Sequence, residues 1–369
     1  MSRGPWPTGP RPDDRELKGG EQEIKVWCRF DFSGRAGQHS GMTYHAEHFG
    51  GFGLEDENGV QHVYRAAGRD FSGEVSMEHG NFDYLMGCDV DLYHQAVRDD
   101  LFGWGRWIVD TAGLDGFRLD AVKHIPASFY RDWLNHLRAH FGDRDLFGVG
   151  EYWSASVDEL AHYLDVTEGV MRLLDVPLHF KLVEAGRQGR DFDLRTIFDG
   201  SLLQANPLMT VTFVDNHDTQ PGQSLESFVD DWFKPLAYAL ILLRRDGYPC
   251  VFYGDYFGNA GEHAPLASHR KLIDDMLGVR QRLAWGDQHD YFDHPQCVGW
   301  VWSGDDDHPG SLVVLMSTGD DAFKAMKTFR GKCTYRDITG HVVEPVTTDD
   351  DGMAEFGCRG GSVSIWVAV

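Results

Sequence analysis

Three carboxylates stand where strand-like segments of the sequence end. Asp120 follows "GLDGFRL", Glu151 closes "DLFGVGE" and Asp218 closes "TVTFVDNHD". The carboxyl ends of parallel strands meet along one rim of a barrel or sheet, so we expect these side chains to face one cleft. Paired carboxylates suit glycoside-type cleavage, in which one attacks or stabilises the sugar cation and the other protonates the leaving oxygen.

Two other interpretations of these carboxylates stay open at this point. A strand-end aspartate often caps the following helix or forms an ion pair, although three such residues with aromatic and histidine neighbours favour a cleft. Clustered Asp and His side chains also occur in metal-dependent hydrolases, but no pair of histidines here has the usual ligand spacing.

Arg118 and Asp120 lie two residues apart in the first of these segments. Side chains two residues apart in a strand share one face. Two unpaired charges on such a face would be costly to bury. We therefore predict a direct ion pair between Arg118 and Asp120.

The elements that must position these residues alternate between strand and helix from about residue 96. Five strand-like segments are separated by amphipathic stretches such as "ASFYRDWLNHLRAHF" and "WFKPLAYALILLRR"; the segments are "LDGFRLDAV", "DLFGVGEYW", "VMRLLDVPL", "LMTVTFVDN" and "YPCVFYGD". This βα rhythm predicts a parallel sheet, and we count five βα units.

Two further regions flank the βα series. Residues 1–95 are rich in Gly, His and aromatics, and "EIKVWCRFDF" and "GVQHVYRAAG" resemble strands of a small irregular β region. Residues 288–369 show short alternating strands broken by Gly and Asp turns, which predicts an antiparallel β-sandwich. We therefore divide the chain into residues 1–95, 96–287 and 288–369.

Composition limits the class of protein. The net charge of −24 opposes binding to nucleic acid or anionic membranes. The six cysteines show no paired metal-type spacing and are expected to be free thiols. No apolar run is long enough to cross a bilayer and the start has no apolar signal core, so we expect a cytoplasmic protein.

Together the segments "DGFRLDAVKH", "GEYW" and "FVDNHD" resemble signature regions of the alpha-amylase family, glycoside hydrolase family thirteen. The resemblance runs from about residue 23 to the end and is greatest to bacterial liquefying and cytoplasmic alpha-amylases. It implies retaining endo-hydrolysis of alpha-1,4-glucosidic bonds in starch, glycogen or maltodextrins.

The resemblance also implies roles for individual residues. Asp120 would be the nucleophile, Glu151 the general acid and base, and Asp218 the carboxylate that holds substrate hydroxyls and stabilises the transition state. Arg118 would orient Asp120. Further sugar contacts are implied for Lys123, His124, Trp153 and His217.

The barrel of this family needs eight strands, and the sequence supplies five. Residues 1–95 resemble the β-rich insertion that follows three βα units in the family, and "MSRGPWPTGPRPDD" resembles no amylase segment. We therefore expect an incomplete (β/α)8 TIM-type barrel that lacks its first three units, with an N-terminal β-rich insertion and a C-terminal sandwich, and an activity impaired by that loss.

Calcium is the one cofactor that the resemblance implies. Asp83, Asp89 and the backbone of His124 match part of the family's site, and oxygen ligands suit Ca²⁺. Other ligands of that site are missing, so we expect it to be incomplete. Two alternative functions also stay open: an inactive glucan-binding remnant, and a transglycosylase, since hydrolysis and transfer share a covalent intermediate.

Overall fold

A computed structural model describes residues 3–4, 22–55, 58–142, 144–260 and 265–369. Most of the start "MSRGPWPTGPRPDD" lies outside these residues. The chain divides into two units, one of Met1–Trp153 with Asp158–Leu173 and the other of Ser154–Val157 with Leu174–Val369. The boundaries at residues 95 and 287 stay predictions.

Unit 1 contains two short antiparallel groups and a parallel group of strands. Its strands are β1 (Arg3–Gly4), β2 (Gln22–Glu23), β3 (Phe49–Glu55), β4 (Gln61–Arg65), β5 (Cys88–Val90), β6 (Gly116–Leu119), β7 (Phe147–Gly150) and most of β8 (Arg172–Leu174). Its helices are α1 (Gln95–Ala112), α2 (Ala127–His140) and nearly all of α3 (Val157–Val166). Strand β3 pairs antiparallel with β4 and β5, whereas β6, β7 and β8 pair in parallel in that order.

Close backbone approach fixes the register between β6 and β7. Gly116 lies opposite Phe147, and a Cβ on Gly116 would stand 2.2 Å from the Phe147 carbonyl oxygen. Only glycine fits there without moving a strand. This register places Arg118 beside Val149. The residues that follow the two strands, Asp120 and Glu151, therefore lie at the same edge of the sheet.

Helices α1 and α2 pack through a second close approach. A Cβ on Gly105 of α1 would stand 2.8 Å from the ring of Trp133 in α2. The Trp133 indole donates a hydrogen bond to the Leu101 carbonyl at 3.0 Å. Helix α1 ends at Ala112, and the next residue, Gly113, has a φ of 64°, the left-handed conformation that glycine favours at a helix end.

Among the described residues, unit 2 contains a parallel strand pair, five α-helices and an antiparallel region. Its helices are α4 (Val176–Gln188), α5 (Leu202–Ala205), α6 (Lys234–Leu242), α7 (Tyr253–Phe257) and α8 (Arg270–Leu283). The parallel pair is β9 (Thr210–Phe213) with β10 (Tyr248–Cys250). The antiparallel strands are β11 (Gln288–His294), β12 (Cys297–Trp302), β13 (Leu312–Ser317), β14 (Ala322–Lys327), β15 (Thr334–Asp337), β16 (Val346–Thr347), β17 (Met353–Cys358) and β18 (Ser362–Ala368).

A single buried carboxylate organises the start of two of these helices. Asp175 accepts from the Leu178 amide of α4 at 3.0 Å and from the Leu202 and Leu203 amides of α5 at 3.1 and 2.7 Å. These amides have no intrahelical acceptor of their own. Burial raises the pKa of Asp175, although the three amides oppose that shift.

The antiparallel strands form two sheets, one of β11, β12, β13, β18, β15 and β16 and one of β14 and β17. One face of β12 and β13, with Trp300 and Val314, packs on a core that includes α4 and α6. The other face, with Val301, packs with Met326 and Phe356 from the smaller sheet. Both strands are therefore buried throughout, as a sandwich interior requires.

These elements agree with the predicted parallel βα segments and the antiparallel C-terminal region. Helix α2 covers the predicted "ASFYRDWLNHLRAHF" to within one residue. The expectation of a strand in "EIKVWCRFDF" is wrong, because residues 24–29 form no strand and Trp27 is largely exposed. None of the helices in the described ranges combines the length and the apolar character needed to cross a membrane.

Candidate active site

One guanidinium joins two of the predicted catalytic carboxylates in unit 1. Arg118 Nη1 contacts Asp120 Oδ1, and Arg118 Nη2 lies 2.9 Å from Glu151 Oε1. The predicted ion pair between Arg118 and Asp120 is thus confirmed. The guanidinium has several donors in one plane, so it can hold two carboxylates at once.

The backbone brings these two carboxylates to the same edge of the parallel strands. Glu151 donates its amide to the Leu119 carbonyl at 2.9 Å and accepts from the Val122 amide at 3.1 Å. The Ala121 amide lies 3.3 Å from Glu151 Oε2. Ala121 has a φ of 48°, a left-handed conformation that turns the chain sharply after Asp120.

The two carboxylates differ in exposure. The side chain of Asp120 is 72% exposed, whereas that of Glu151 is 7% exposed. Different environments allow two carboxyl groups to take different roles in one reaction. The structure therefore presents one exposed and one enclosed carboxylate to the same guanidinium.

A large cavity of about 1770 Å³ adjoins Asp120 in unit 1. Its walls include the aromatic residues Phe117, Trp104, Trp107 and Trp133. Ligand sites usually measure about 300–1,000 Å³, so this cavity is larger than a typical small-molecule site. On the described residues, β6 has a strand neighbour on one side only, namely β7.

Tyr130 is a residue near this pair that the sequence did not point to. It lies on α2 and lines the same cavity. Burial and the negative charge of Asp120 raise its pKa to about 12. In the sequence, Tyr130 could have been recognised as a site residue from its position in the first turn of the helix that follows β6.

Lys123 and Trp153 are joined by a partly buried hydrogen bond. The Lys123 amine donates to the Trp153 carbonyl at 3.0 Å and pairs with Glu78 Oε2 at 2.6 Å. Burial opposes ionisation of Glu78, but the contact with Lys123 outweighs it and lowers the pKa of Glu78. Sequence reasoning missed Glu78, because 45 residues separate it from Lys123.

His124 is buried beside Phe82. Its Nδ1 lies 2.7 Å from the Phe82 carbonyl, so Nδ1 carries the proton and donates. The Phe82 ring lies edge-on to the imidazole with 4.2 Å between centroids.

His217 and Asp218 form a second group, which lies in unit 2. His217 Nε2 lies 3.3 Å from Asp218 Oδ2, and their side chains are 63% and 29% exposed. Both residues follow β9 by a few positions. The structure thus brings Arg118, Asp120 and Glu151 together in unit 1, and His217 and Asp218 together in unit 2.

The predicted calcium ligands include two buried carboxylates. Burial, together with the charges of Asp83 and Asp91, raises the pKa of Asp89 to about 8. Burial also raises the pKa of Asp83, whose Oδ2 accepts from the Ser72 amide at 2.8 Å. A Cβ on Gly50 would stand 2.8 Å from Asp89 Oδ2, so glycine leaves that oxygen uncovered.

The carboxylate oxygens of Asp83 and Asp89 are of the kind that a hard cation prefers. Two carboxylates are few, however, for a complete metal site. Among the residues that the structure describes, no three acidic, histidine or cysteine side chains converge as a metal site would require. Backbone carbonyls or water would have to complete the coordination of Ca²⁺, which takes six to eight oxygens.

Comparison with known proteins identifies the family. A model of the alpha-amylase catalytic domain matches residues 81–296. The chain is 46% identical over 363 residues to an alpha-amylase of Geobacillus stearothermophilus, an alignment that covers 96% of this chain and 65% of the relative.

The chain belongs to the alpha-amylase family. A cytoplasmic alpha-amylase of Escherichia coli strain K12 is 45% identical over 359 residues, with 94% of this chain and 72% of that protein covered. This amylase-family chain therefore spans about two thirds of the length of the curated relatives it matches.

Solved alpha-amylase structures share the fold. An Anoxybacillus alpha-amylase superposes with a TM-score of 0.62 at 18% identity, covering 82% of this chain and 69% of that one. An alpha-amylase of Geobacillus thermoleovorans in complex with acarbose gives a TM-score of 0.59 at 21% identity, covering 78% of this chain and 67% of the other. The parallel βα segments and the antiparallel C-terminal region are thus those of an alpha-amylase fold.

Proposed function

We propose that this chain catalyses retaining endo-hydrolysis of alpha-1,4-glucosidic bonds in starch, glycogen or maltodextrins. The observation that carries the proposal is the single Arg118 guanidinium in contact with both Asp120 and Glu151. The names of the relatives support it, since chains 44–46% identical to this one are called alpha-amylase and glucan 1,4-alpha-maltohexaosidase.

In the proposed reaction, Asp120 attacks the anomeric carbon while Glu151 gives its proton to the leaving glycosidic oxygen. The new carbon–oxygen bond to Asp120 forms as the glycosidic bond breaks. Glu151 then takes a proton from water, and the resulting hydroxide attacks the same carbon and releases Asp120. Asp218 holds substrate hydroxyls and stabilises the positive charge of the transition state.

Further residues would bind the sugar. Trp153 offers an aromatic face, and His217 is exposed enough to donate to hydroxyls. The Lys123 amine, already directed by Glu78 and the Trp153 carbonyl, has one donor left for substrate. His124 is assigned to the same subsite on the resemblance to the family.

We also propose that the parallel strands β6 to β10 represent five of the eight strands of the family's barrel, preceded by a β-rich insertion. Within the part of the chain that the structure describes, β6 pairs with β7 alone and a large, mainly apolar cavity adjoins it, and both observations support this interpretation. A strand held on one side positions its catalytic group less firmly, so we expect slower hydrolysis than in a closed barrel.

The proposal also includes a bound calcium ion and a cellular location. Asp83, Asp89 and the His124 carbonyl would hold one Ca²⁺, which would neutralise the clustered carboxylates. A cytoplasmic location rests on the relative that carries that word in its name.

A reducing-sugar assay on soluble starch tests the activity. Asp120→Asn and Glu151→Gln should each lower kcat by at least about 100-fold, a typical effect of losing a main catalytic group. The matched control is Asp110→Asn, which changes an exposed carboxylate on α1 and should leave kcat unchanged.

The anomeric form of the released sugar shows whether hydrolysis retains the configuration of the anomeric carbon. Nuclear magnetic resonance of fresh product should show the alpha anomer. A beta anomer, or full activity of Asp120→Asn, would contradict the proposal. Transfer of label to an added acceptor sugar would favour the transglycosylase, and starch binding without cleavage would favour the binding remnant.

A further inference from the structure

A buried ammonium lies between two buried carboxylates in unit 2. Lys234 is the first residue of α6, and its Nζ lies 3.0 Å from Asp215 Oδ2 and contacts Asp255 Oδ1. The three side chains are at most 3% exposed. The Tyr238 hydroxyl donates to Asp255 Oδ2 at 2.7 Å. Apolar residues of equal volume often stabilise a core at least as well, so these charges call for a role beyond stability.

The group connects three separate segments of unit 2. Asp215 follows β9, Lys234 and Tyr238 belong to α6, and Asp255 belongs to α7. The Phe252 amide, just before α7, also donates to the Tyr238 hydroxyl at 3.4 Å. We call Lys234, Asp215, Asp255 and Tyr238 the Lys234 network.

Asp215, which Lys234 holds in place, also accepts hydrogen bonds from residues that follow it in the chain. The Thr219 hydroxyl donates to Asp215 Oδ1 at 3.1 Å and accepts from the Asn216 amide at 3.0 Å. The Val229 amide donates to both Asp215 oxygens, at 3.2 and 3.3 Å. Both ends of the 215–219 segment are therefore held by the same carboxylate.

Asp218 lies inside that segment with its backbone held on two sides. Its amide donates to Asn216 Oδ1 at 2.9 Å, and its carbonyl accepts from the Leu225 amide at 3.2 Å. Asn216 Oδ1 also accepts from the Thr219 amide at 2.9 Å. The Asp218 carboxylate and the neighbouring His217 ring, which lie 3.3 Å apart, are thus carried by a backbone that these hydrogen bonds fix.

We infer that the Lys234 network positions the 215–219 segment, and through it the carboxylate of Asp218, for catalysis. Lys234 touches no substrate in this scheme and is a positioning residue. The inference rests on the proposed function for the role of Asp218, but the anchoring itself does not depend on any activity.

The inference depends on the positive charge of Lys234, which lies between two carboxylates. Without the ammonium, Asp215 and Asp255 would repel each other across the core. Asp215 would then lose its fixed place, and with it the Thr219 hydrogen bond that closes the segment. Misplacement of a catalytic group by about 1 Å costs about 100-fold in rate.

The test compares Lys234→Met and Thr219→Val with the unchanged full-length chain. Lys234→Met keeps the side-chain length and removes the charge, whereas Thr219→Val keeps the shape and removes only the link between Asp215 and Asn216. Each should lower kcat on soluble starch by at least about tenfold while KM changes less than about threefold, because ground-state binding is largely kept. Lys234→Arg, which keeps the charge, should recover part of kcat.

Hydrogen exchange gives a readout that does not need activity. In both variants the backbone amides of residues 216–219 should exchange at least about tenfold faster, while those of β12 and β13 exchange as before. The matched control is Lys271→Met, which removes an exposed lysine from α8 and should change neither kcat nor exchange at 216–219.

The possible results test the positioning role of the Lys234 network separately from the proposed hydrolysis of starch. Unchanged exchange at residues 216–219, or exchange that rises equally in β12 and β13, would overturn the inference, since the network would then be merely structural. A chain that hydrolyses no starch would contradict the proposed function, and exchange would still judge the network. If Lys234→Met does not fold, Asp255→Asn, which removes one of the two carboxylate charges paired with Lys234, is judged by the same two measurements.

Discussion

The guanidinium of Arg118 lies against the buried carboxylate of Glu151, with 2.9 Å between Nη2 and Oε1. Its other terminal nitrogen contacts Asp120, so a single cation sets the spacing of the two proposed catalytic groups. Lysine would offer one compact charge in place of this planar fork.

Replacement of Arg118 should therefore reduce activity even when the positive charge is kept. We expect Arg118→Lys and Arg118→Met to lower kcat by about 100-fold or more, because neither can hold both carboxylates in place. Steady-state kinetics on soluble starch measures the loss, with Arg131→Lys on α2 as a control. An Arg118→Lys enzyme within threefold of the unchanged chain would disprove the bridging role.

Acid should destabilise unit 2 through His179. This buried ring donates from Nδ1 to the Val214 carbonyl at 2.7 Å and faces the Ser227 hydroxyl at 3.0 Å. Burial lowers its pKa from 6.5 to about 4. Between these pH values the unfolded chain binds more protons at this residue than the folded one, so the free energy of unfolding falls as the pH decreases from 6.5 to 4.

The loss from His179 should approach about 3 kcal/mol at pH 4, at about 1.4 kcal/mol for each pH unit of the shift. Denaturant unfolding of the unchanged chain and of His179→Asn at several pH values measures it. The variant should lose stability with a shallower slope over this range. Parallel slopes for the two proteins would show that His179 does not titrate in this way.

Two tryptophans of the β12 strand share one acceptor. Trp300 and Trp302 each donate an indole hydrogen bond of 2.8 Å to the Leu243 carbonyl. Either single change to Phe leaves that carbonyl with one donor, whereas the double change leaves it buried and unpaired. The double variant should be less stable than the sum of the singles by about 1–3 kcal/mol, the cost of an unsatisfied buried group. Additive unfolding free energies would show that the shared acceptor is unimportant.

Calcium should raise the melting temperature of the chain. At about 100 times its dissociation constant a ligand contributes about 2.7 kcal/mol, which corresponds to a rise of several degrees. Differential scanning calorimetry with calcium, with magnesium and with chelator measures the rise, which we expect for calcium alone. Asp89→Asn should abolish it. An equal melting temperature in calcium and in chelator would remove calcium from the proposal.

The sequence allowed much of the fold to be predicted, because local patterns carry that information. The strand before Asp120 and the helix over 127–140 follow from periodicity, and the Arg118–Asp120 pair follows from their two-residue spacing. Contacts between distant residues left no such pattern. Glu78 meets Lys123 and Lys234 meets Asp255 only through the tertiary fold. Periodicity also misled at residues 24–29, which have an alternating pattern and form no strand.

Strand β6 carries Arg118, leads into Asp120 and has one strand neighbour within the described residues. A polypeptide that added a parallel strand along its other side would tighten the geometry of the proposed nucleophile. Association would then be reported directly as sugar release. The amount of sugar released would thus measure how much of the added strand has bound.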